Sequence, residues 1–256
     1  MTRLLSGVAL AALALAAILL LPDAGLRVLA ALVAALAAYE YLKVLHQDGR
    51  GPHAAPILVL VVFVCLWMSR AYPRDLLAPI LIGLGWLAIE VVFRGMTVER
   101  GAARFLAPFY IGMPLGMLAA VQATGGRFAT LLLIATIVVS DSAQFYAGRL
   151  FGRRPLAPAI SPKKTIEGAI GGAVLAPLFL VLAGPYALPS ANRLSLALLG
   201  VAIVALGICG DLFESRLKRI AGVKDSSTLI PGHGGVLDRI DALLFATPAF
   251  YLYLQP

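Results

Sequence analysis

The chain has 256 residues and a net charge of +8; it is 61% apolar and only 13% charged, with a mean hydropathy of +0.92. Soluble domains are about 45–50% apolar and about 25% charged, so a chain of this size cannot bury its apolar surface in one water-facing globule, and part of it must face lipid. The basic excess does not point to nucleic acid, because the cations sit in short loops beside apolar stretches; anionic headgroups and phosphorylated ligands are the better partners.

A bilayer core about 30 Å thick needs roughly 20 apolar residues per helical crossing. Such stretches occur at about 4–21, 26–44, 54–69, 76–93, 105–122, 129–147, 168–190, 195–212 and 240–255. The expectation is an all-α, multi-pass membrane protein of about nine helices, built as a single domain over residues 1–256. Arg3 followed by an apolar run resembles a signal peptide, but no polar, cleavable segment follows, and a retained first helix is expected. With nine crossings, Arg27, Arg70, Arg74, Arg127 and Arg193 fall on one side, and the rest of the 21 basic residues on the other. The positive-inside rule makes the rich side cytoplasmic, with the amino terminus inside and the carboxy terminus outside.

Residues 4–44 are largely Ala, Leu and Val and carry no evident chemistry, and the amino-terminal half up to about 130 is low in information. Gly112-Met-Pro-Leu-Gly116 is a small-xxx-small pattern that suits close helix packing. Cys65 and Cys209 lie in apolar stretches and read as small core residues.

The carboxy-terminal half, 131–256, is different. Two long loops rich in Lys and Arg, about 148–167 and 213–239, are flanked by carboxylates at membrane depth. Asp141 lies inside the sixth stretch, Asp211 closes the eighth, and Asp238 and Asp241 open the ninth at i, i+3, on one helix face. An ionised carboxylate there is costly unless paired, hydrated or bound to a cation. Pairing with Arg216, Arg219 or Arg239 is one reading. Several acids on one membrane face fit a divalent metal better, and oxygen-only ligands suit Mg²⁺. In Ser161-Pro162-Lys163-Lys164-Thr165-Ile166-Glu167-Gly168, Ser161 and Pro162 read as the N-cap and first position of the seventh helix. Lysines oppose the dipole of a bare helix start, a conflict relieved if a phosphate docks there. Anchoring to lipid headgroups is the alternative. Pro231-Gly232-His233-Gly234-Gly235 is a loop whose backbone can approach a ligand closely.

The run Ser215-Arg-Leu-Lys218-Arg219-x4-Lys224-Asp225-x5-Pro231-x-His233-Gly234-Gly235-x2-Asp238-Arg239-x-Asp241 resembles the signature of the phosphatidate cytidylyltransferases, or CDP-diacylglycerol synthases. Asp141-x3-Phe145-Tyr146-x-Gly148-Arg149 and the 161–168 block resemble the same family, apart from Gln144-Phe145-Tyr146, where a small residue before a single aromatic is expected. The resemblance implies CTP and phosphatidic acid as substrates at the cytoplasmic face of the inner membrane. It implies Asp211 and Asp238 as Mg²⁺ ligands and a second, monovalent cation such as K⁺; Asp141 and Asp241, on the reading of the acids above, would be further ligands or stand behind them. Catalytic roles then fall to Asp211, Asp238, Lys218 and Lys224. Ser161, Lys163, Lys164, Thr165, Ser215, Arg219, His233, Gly234, Gly235 and Arg239 would bind substrate, with Asp225 and Arg239 also open as structural partners of neighbouring charges. A homodimer is expected only from the habits of membrane enzymes.

Three other readings compete. A CDP-alcohol phosphotransferase should carry Asp-Gly-x2-Ala-Arg, which is absent. A CTP-dependent polyprenol or lipid kinase shares the nucleotide. A cation-coupled transporter should hold its acids near the midplane between repeated halves, whereas these gather towards one face.

Overall fold

The computed structural model describes residues 2–45, 54–70 and 77–255; Arg50 and Arg74 of the charge distribution lie outside the described residues. Helix α1 spans Thr2–Leu20, α2 Asp23–Leu45, α3 Ala54–Met68, α4 Leu77–Arg94 and α5 Val98–Ala107. A π-helical turn, Pro108–Gly112, leads into α6, Met113–Phe151. After a two-stranded hairpin, β1 Pro155–Ala157 and β2 Ser161–Thr165, come α7 Ile166–Ala187, α8 Arg193–Ile220 and α9 Leu237–Tyr253.

Among the described residues four helical runs are long and apolar enough to cross a membrane: Asp23–Leu45, Val98–Phe151, Ile166–Ala187 and Arg193–Ile220; Leu5–Leu20, Ala54–Met68 and Leu77–Phe93 are shorter apolar helices. The 54-residue run contains both the fifth and the sixth expected crossings. They meet at Gly126, where φ is +78° and ψ is 179°, a conformation that lets the chain bend with no Cβ in the way. Apolar side chains point outward along these helices, with Val92 and Phe93 71% and 81% exposed. In water that pattern would be a large exposed patch; against lipid it is the expected outer surface.

Small residues bring the helices together. Ala34, Ala37 and Ala38 of α2 are fully buried. A Cβ at Gly112 would come within 2.6 Å of the Val61 carbonyl oxygen, and one at Gly116 would overlap that of Cys65. The small-xxx-small pattern therefore seats the α6 entrance against the α3 backbone. With no water to drive apolar surfaces together, such close approach is what holds membrane helices. Helix α6 packs along α7, α7 on α8, and α8 on α9, while α2 and α3 close the other side. Glu90 of α4 and Arg104 of α5 form a buried ion pair at 3.1 Å.

One local expectation fails. Ser161 and Pro162 are not the cap and first position of a helix; they belong to β2, whose Ser161 pairs with Ala157 and whose Thr165 pairs with Pro155. The cap is Thr165, extended at φ −119° and ψ 154°, its hydroxyl accepting from Gly168 N. Lys163 and Lys164 consequently precede the helix on a strand, and the conflict with the helix dipole does not arise. Among the described residues the hairpin is the one sheet in a largely helical fold.

Candidate active site

The candidate side chains converge on one end of the bundle, from the carboxy-terminal ends of α2, α6 and α8 and the amino-terminal ends of α7 and α9. That convergence follows from the alternating direction of the helices. Two clefts open there.

The first cleft, about 450 Å³, is lined by Asp141, Arg149, Lys163, Lys164, Thr165 and Asp211, among others. Thr165 holds the hairpin against α7 through its cap, and Glu167 accepts from the backbone N–H groups of Arg153 and Arg154, fixing the loop after α6. These bonds leave the lysines projecting from a braced strand. Lys164 Nζ lies 2.5 Å from Asp211 Oδ2, in a pair whose side chains are 23% and 35% exposed. Ser215, one helical turn on, donates to Asp211 Oδ1 at 3.2 Å. Asp141 accepts from Gln144 at 3.4 Å.

The second cleft, about 590 Å³, is lined by Lys224, Asp225, His233, Gly234 and Arg239, among others. Its wall is the loop between α8 and α9. The turn needs Gly232 and Gly234 at φ +77° and +81°, a region L side chains rarely adopt. His233 Nδ1 is 2.8 Å from the Ser6 hydroxyl of α1, which also reaches the Pro231 carbonyl oxygen.

Between the two sets of residues lies a buried charge network. Asp238 accepts from Lys218 Nζ at 2.5 Å on Oδ1. Its Oδ2 accepts from Gly235 N at 2.7 Å and from Ser226 N and Oγ at 2.9 Å. Lys218 also bridges Glu214 at 3.0 Å. Sequence reasoning offered arginines as partners of the acids; lysines take both places. Lys218 is bound by two carboxylates and only 12% exposed. Asp241, three residues on from Asp238 in α9, accepts from Ala242 N at 2.8 Å.

Some expected site residues stand apart. Ser161 pairs within the hairpin, and Arg219 donates to the Val223 carbonyl at 3.3 Å. Among the described residues no three His, Cys, Asp or Glu side chains form a ready metal cage. The acids are oxygen donors of the kind Mg²⁺ accepts, and Glu214 Oε1 is buried with no hydrogen-bond partner among the described residues. Asp211 and Asp141 share the first cleft; Asp238 is free to ligate only if Lys218 releases Oδ1.

Sequence reading missed Glu40, Ser226 and Glu214. Glu40 corrects the view that residues 4–44 carry no chemistry: it is 3% exposed and accepts from Ser226 and Ser227 hydroxyls and from Val236 and Leu237 backbone N–H groups. The signal was available, since a carboxylate in an apolar stretch is costly wherever it falls.

The chain matches the model of the cytidylyltransferase family over residues 1–256. It is 34% identical to phosphatidate cytidylyltransferase of Pseudomonas aeruginosa over 97% of this chain and 94% of the relative. Phosphatidate cytidylyltransferase of Haemophilus influenzae is 47% identical over 50% of this chain and 46% of its own. An uncharacterised protein of Escherichia coli is 42% identical over 54% of this chain and 46% of its own. The chain thus spans about half the length of these last two relatives.

Proposed function

Because the chain belongs to the cytidylyltransferase family, we propose that it transfers the cytidylyl group of CTP to phosphatidic acid. The products are CDP-diacylglycerol and pyrophosphate. The observation that carries this reading is the pair of basic clefts at one bundle end, beside acids held in or near the membrane-spanning helices. We further propose about nine crossings, a cytoplasmic amino terminus and a site at the cytoplasmic face of the inner membrane, on the charge asymmetry of the loops. Water-soluble CTP then enters from the cytoplasm, and the lipid slides in laterally.

The second pKa of a phosphate monoester is about 6, so the lipid phosphate arrives largely dianionic at neutral pH. One of its oxygens attacks the α-phosphorus of CTP, a new P–O bond forms, and the bond to the β-phosphate oxygen breaks. No strong general base is needed. The barrier is the meeting of two anions, so positioning and charge neutralisation carry catalysis. Lys163, Lys164 and Arg149 supply cations in the first cleft, and Lys224, Arg239 and the His233 ring face the second. A phosphate entering the first cleft competes with Asp211 for Lys164, in a pair exposed enough to exchange. Asp211, with Asp141, Asp241 and the Ser215 hydroxyl, would hold Mg²⁺, and Asp238 would join once Lys218 lets go. When bound, that ion would take up charge on the leaving pyrophosphate.

The test is detergent-purified protein given phosphatidic acid, Mg²⁺ and CTP labelled at the α- or the γ-phosphate, with each component omitted in turn. Label from the α-position alone should enter lipid as CDP-diacylglycerol. Label entering lipid from the γ-position would make the protein a CTP-dependent kinase, and no labelled lipid from folded protein would sink the proposal.

A further inference from the structure

Helix α9 begins without a side-chain cap of its own, since Val236, at the cap position, makes no such bond. The first N–H groups of a helix have no partner within it. Here Val236 N and Leu237 N, at 3.1 and 2.8 Å, donate to the carboxylate of Glu40, brought in from α2 across 197 residues of sequence. A carboxylate at that end also meets the positive pole of the helix. Ser227 Oγ donates at 2.6 Å and Ser226 Oγ lies at 3.1 Å, so three donors and a fourth shared with Asp238 approach the acceptor capacity of a carboxylate, about four sites.

Ser226 ties this cap to the site. Its hydroxyl has one proton and lies 3.1 Å from Glu40 Oε2 and 2.9 Å from Asp238 Oδ2. Any displacement of Glu40 is therefore passed to Asp238 through one shared hydroxyl and through the start of α9. Gly235 shows how closely the pieces meet: a Cβ there would overlap both Ser226 Oγ and the Glu40 carboxylate.

We propose that Glu40 is a positioning residue for the transfer reaction, its buried carboxylate holding the 226–237 segment so that Asp238 and Lys218 keep their orientation between the clefts. This rests on the cytidylyl-transfer reading. A buttress with no part in the reaction would alter the fraction of folded protein. A positioning residue alters turnover in protein that is folded. Lys163 and Lys164 lie on the hairpin and outside the bonds made by Glu40, so binding of a phosphorylated ligand in the first cleft should survive its loss.

The experiment compares Glu40→Gln and Glu40→Asp with the wild type in detergent, measuring kcat, KM for each substrate and unfolding temperature. Glu40→Gln keeps the volume but turns an amide N–H₂ towards donors. A misplacement of about 1 Å can cost about 100-fold, and a loss of about that size in kcat per folded protein is expected, with KM within about threefold and the unfolding temperature lowered because buried donors lose their acceptor. Glu40→Asp keeps the charge on a shorter arm and should lose only about tenfold in kcat by the same reasoning. Wild-type kcat in folded Glu40→Gln overturns the proposal, as does activity lost only in step with folded protein. Should Glu40→Gln fail to fold, Glu40→Asp decides, and wild-type kcat there is equally fatal. A wild-type protein that makes no CDP-diacylglycerol overturns the proposed function instead. The loop-holding role is then judged by amide exchange, which should quicken at Ser226, Val236 and Leu237 in the Gln variant and refutes that role if unchanged.

Discussion

Two lysine–aspartate pairs stand at the same end of the bundle, each 2.5 Å apart, in opposite surroundings. Lys164 and Asp211 meet across a cleft, 23% and 35% exposed, with one further hydrogen bond from Ser215. Lys218 and Asp238 are 12% and 3% exposed and are joined by Glu214, Ser226 and Gly235. A partly solvated pair gains little from its own attraction and can exchange partners. A buried pair is costly to break, because the remaining member is stranded as an uncompensated charge. The lesson is a division of labour: the exposed pair is suited to receive phosphate, and the buried pair to keep the site in shape while no cation draws Asp238 away.

The largest effect expected from breaking this comparison is on the buried side. Lys218→Met strands Asp238 and Glu214 together and should destabilise by about 3–5 kcal/mol, lowering the unfolding temperature by about 6–20 °C for a chain of this size. An unchanged melting curve in detergent would mean that water reaches those carboxylates. Next comes Gly235→Ala, which overpacks the Ser226–Glu40 contact and should cost about 1–3 kcal/mol, read as a lower unfolding temperature. A neutral result would show that the loop has room to shift. Thr165→Ala removes the cap of α7 and should cost about 1 kcal/mol. Because the same threonine braces the hairpin, kcat/KM should fall as well, and a stability loss with full activity would separate the hairpin from the site.

The smallest stability effect belongs to the exposed pair. Lys164→Ala should change stability by about 1 kcal/mol or less, while lowering kcat/KM by about tenfold or more, since a charge-assisted contact is worth about 1.5–3 kcal/mol. A double-mutant cycle sharpens the contrast: coupling between Lys164 and Asp211 should be about 0.2–1 kcal/mol and shrink with added salt. Coupling as large and salt-insensitive as that between Lys218 and Asp238 would erase the distinction between the pairs.

Much of this was legible in the chain itself. Apolar stretches marked the helices because lipid demands a long unbroken run for each crossing, and α2, α3 and α8 fall close to where those runs lie. The motif residues at 141–241 stood out because their chemistry is dense and their spacing short. Gly112 and Gly116 were read correctly as packing positions, small residues being what close helices require. The hairpin was misread because Ser-Pro satisfies a helix start as well as a strand. Only the pairing of 161–165 with 155–157 decides between them, and pairing lies outside any local pattern. Which cation meets which acid was equally hidden: arginines and lysines crowd the same loops, and the packing of α7 against α8 and of α8 against α9 chose Lys164 and Lys218.

Sequence alone determined the membrane class, most of the helical segments and the family, because these depend on composition and on residues close together in the chain. Tertiary structure alone decided the role of Glu40. Among the described residues the nearest partner of its carboxylate is 186 residues away, so no periodicity or motif could join them. Burial made the contact matter: a carboxylate taken out of water must find donors, and the capless start of α9 and the serines beside it are the donors it found.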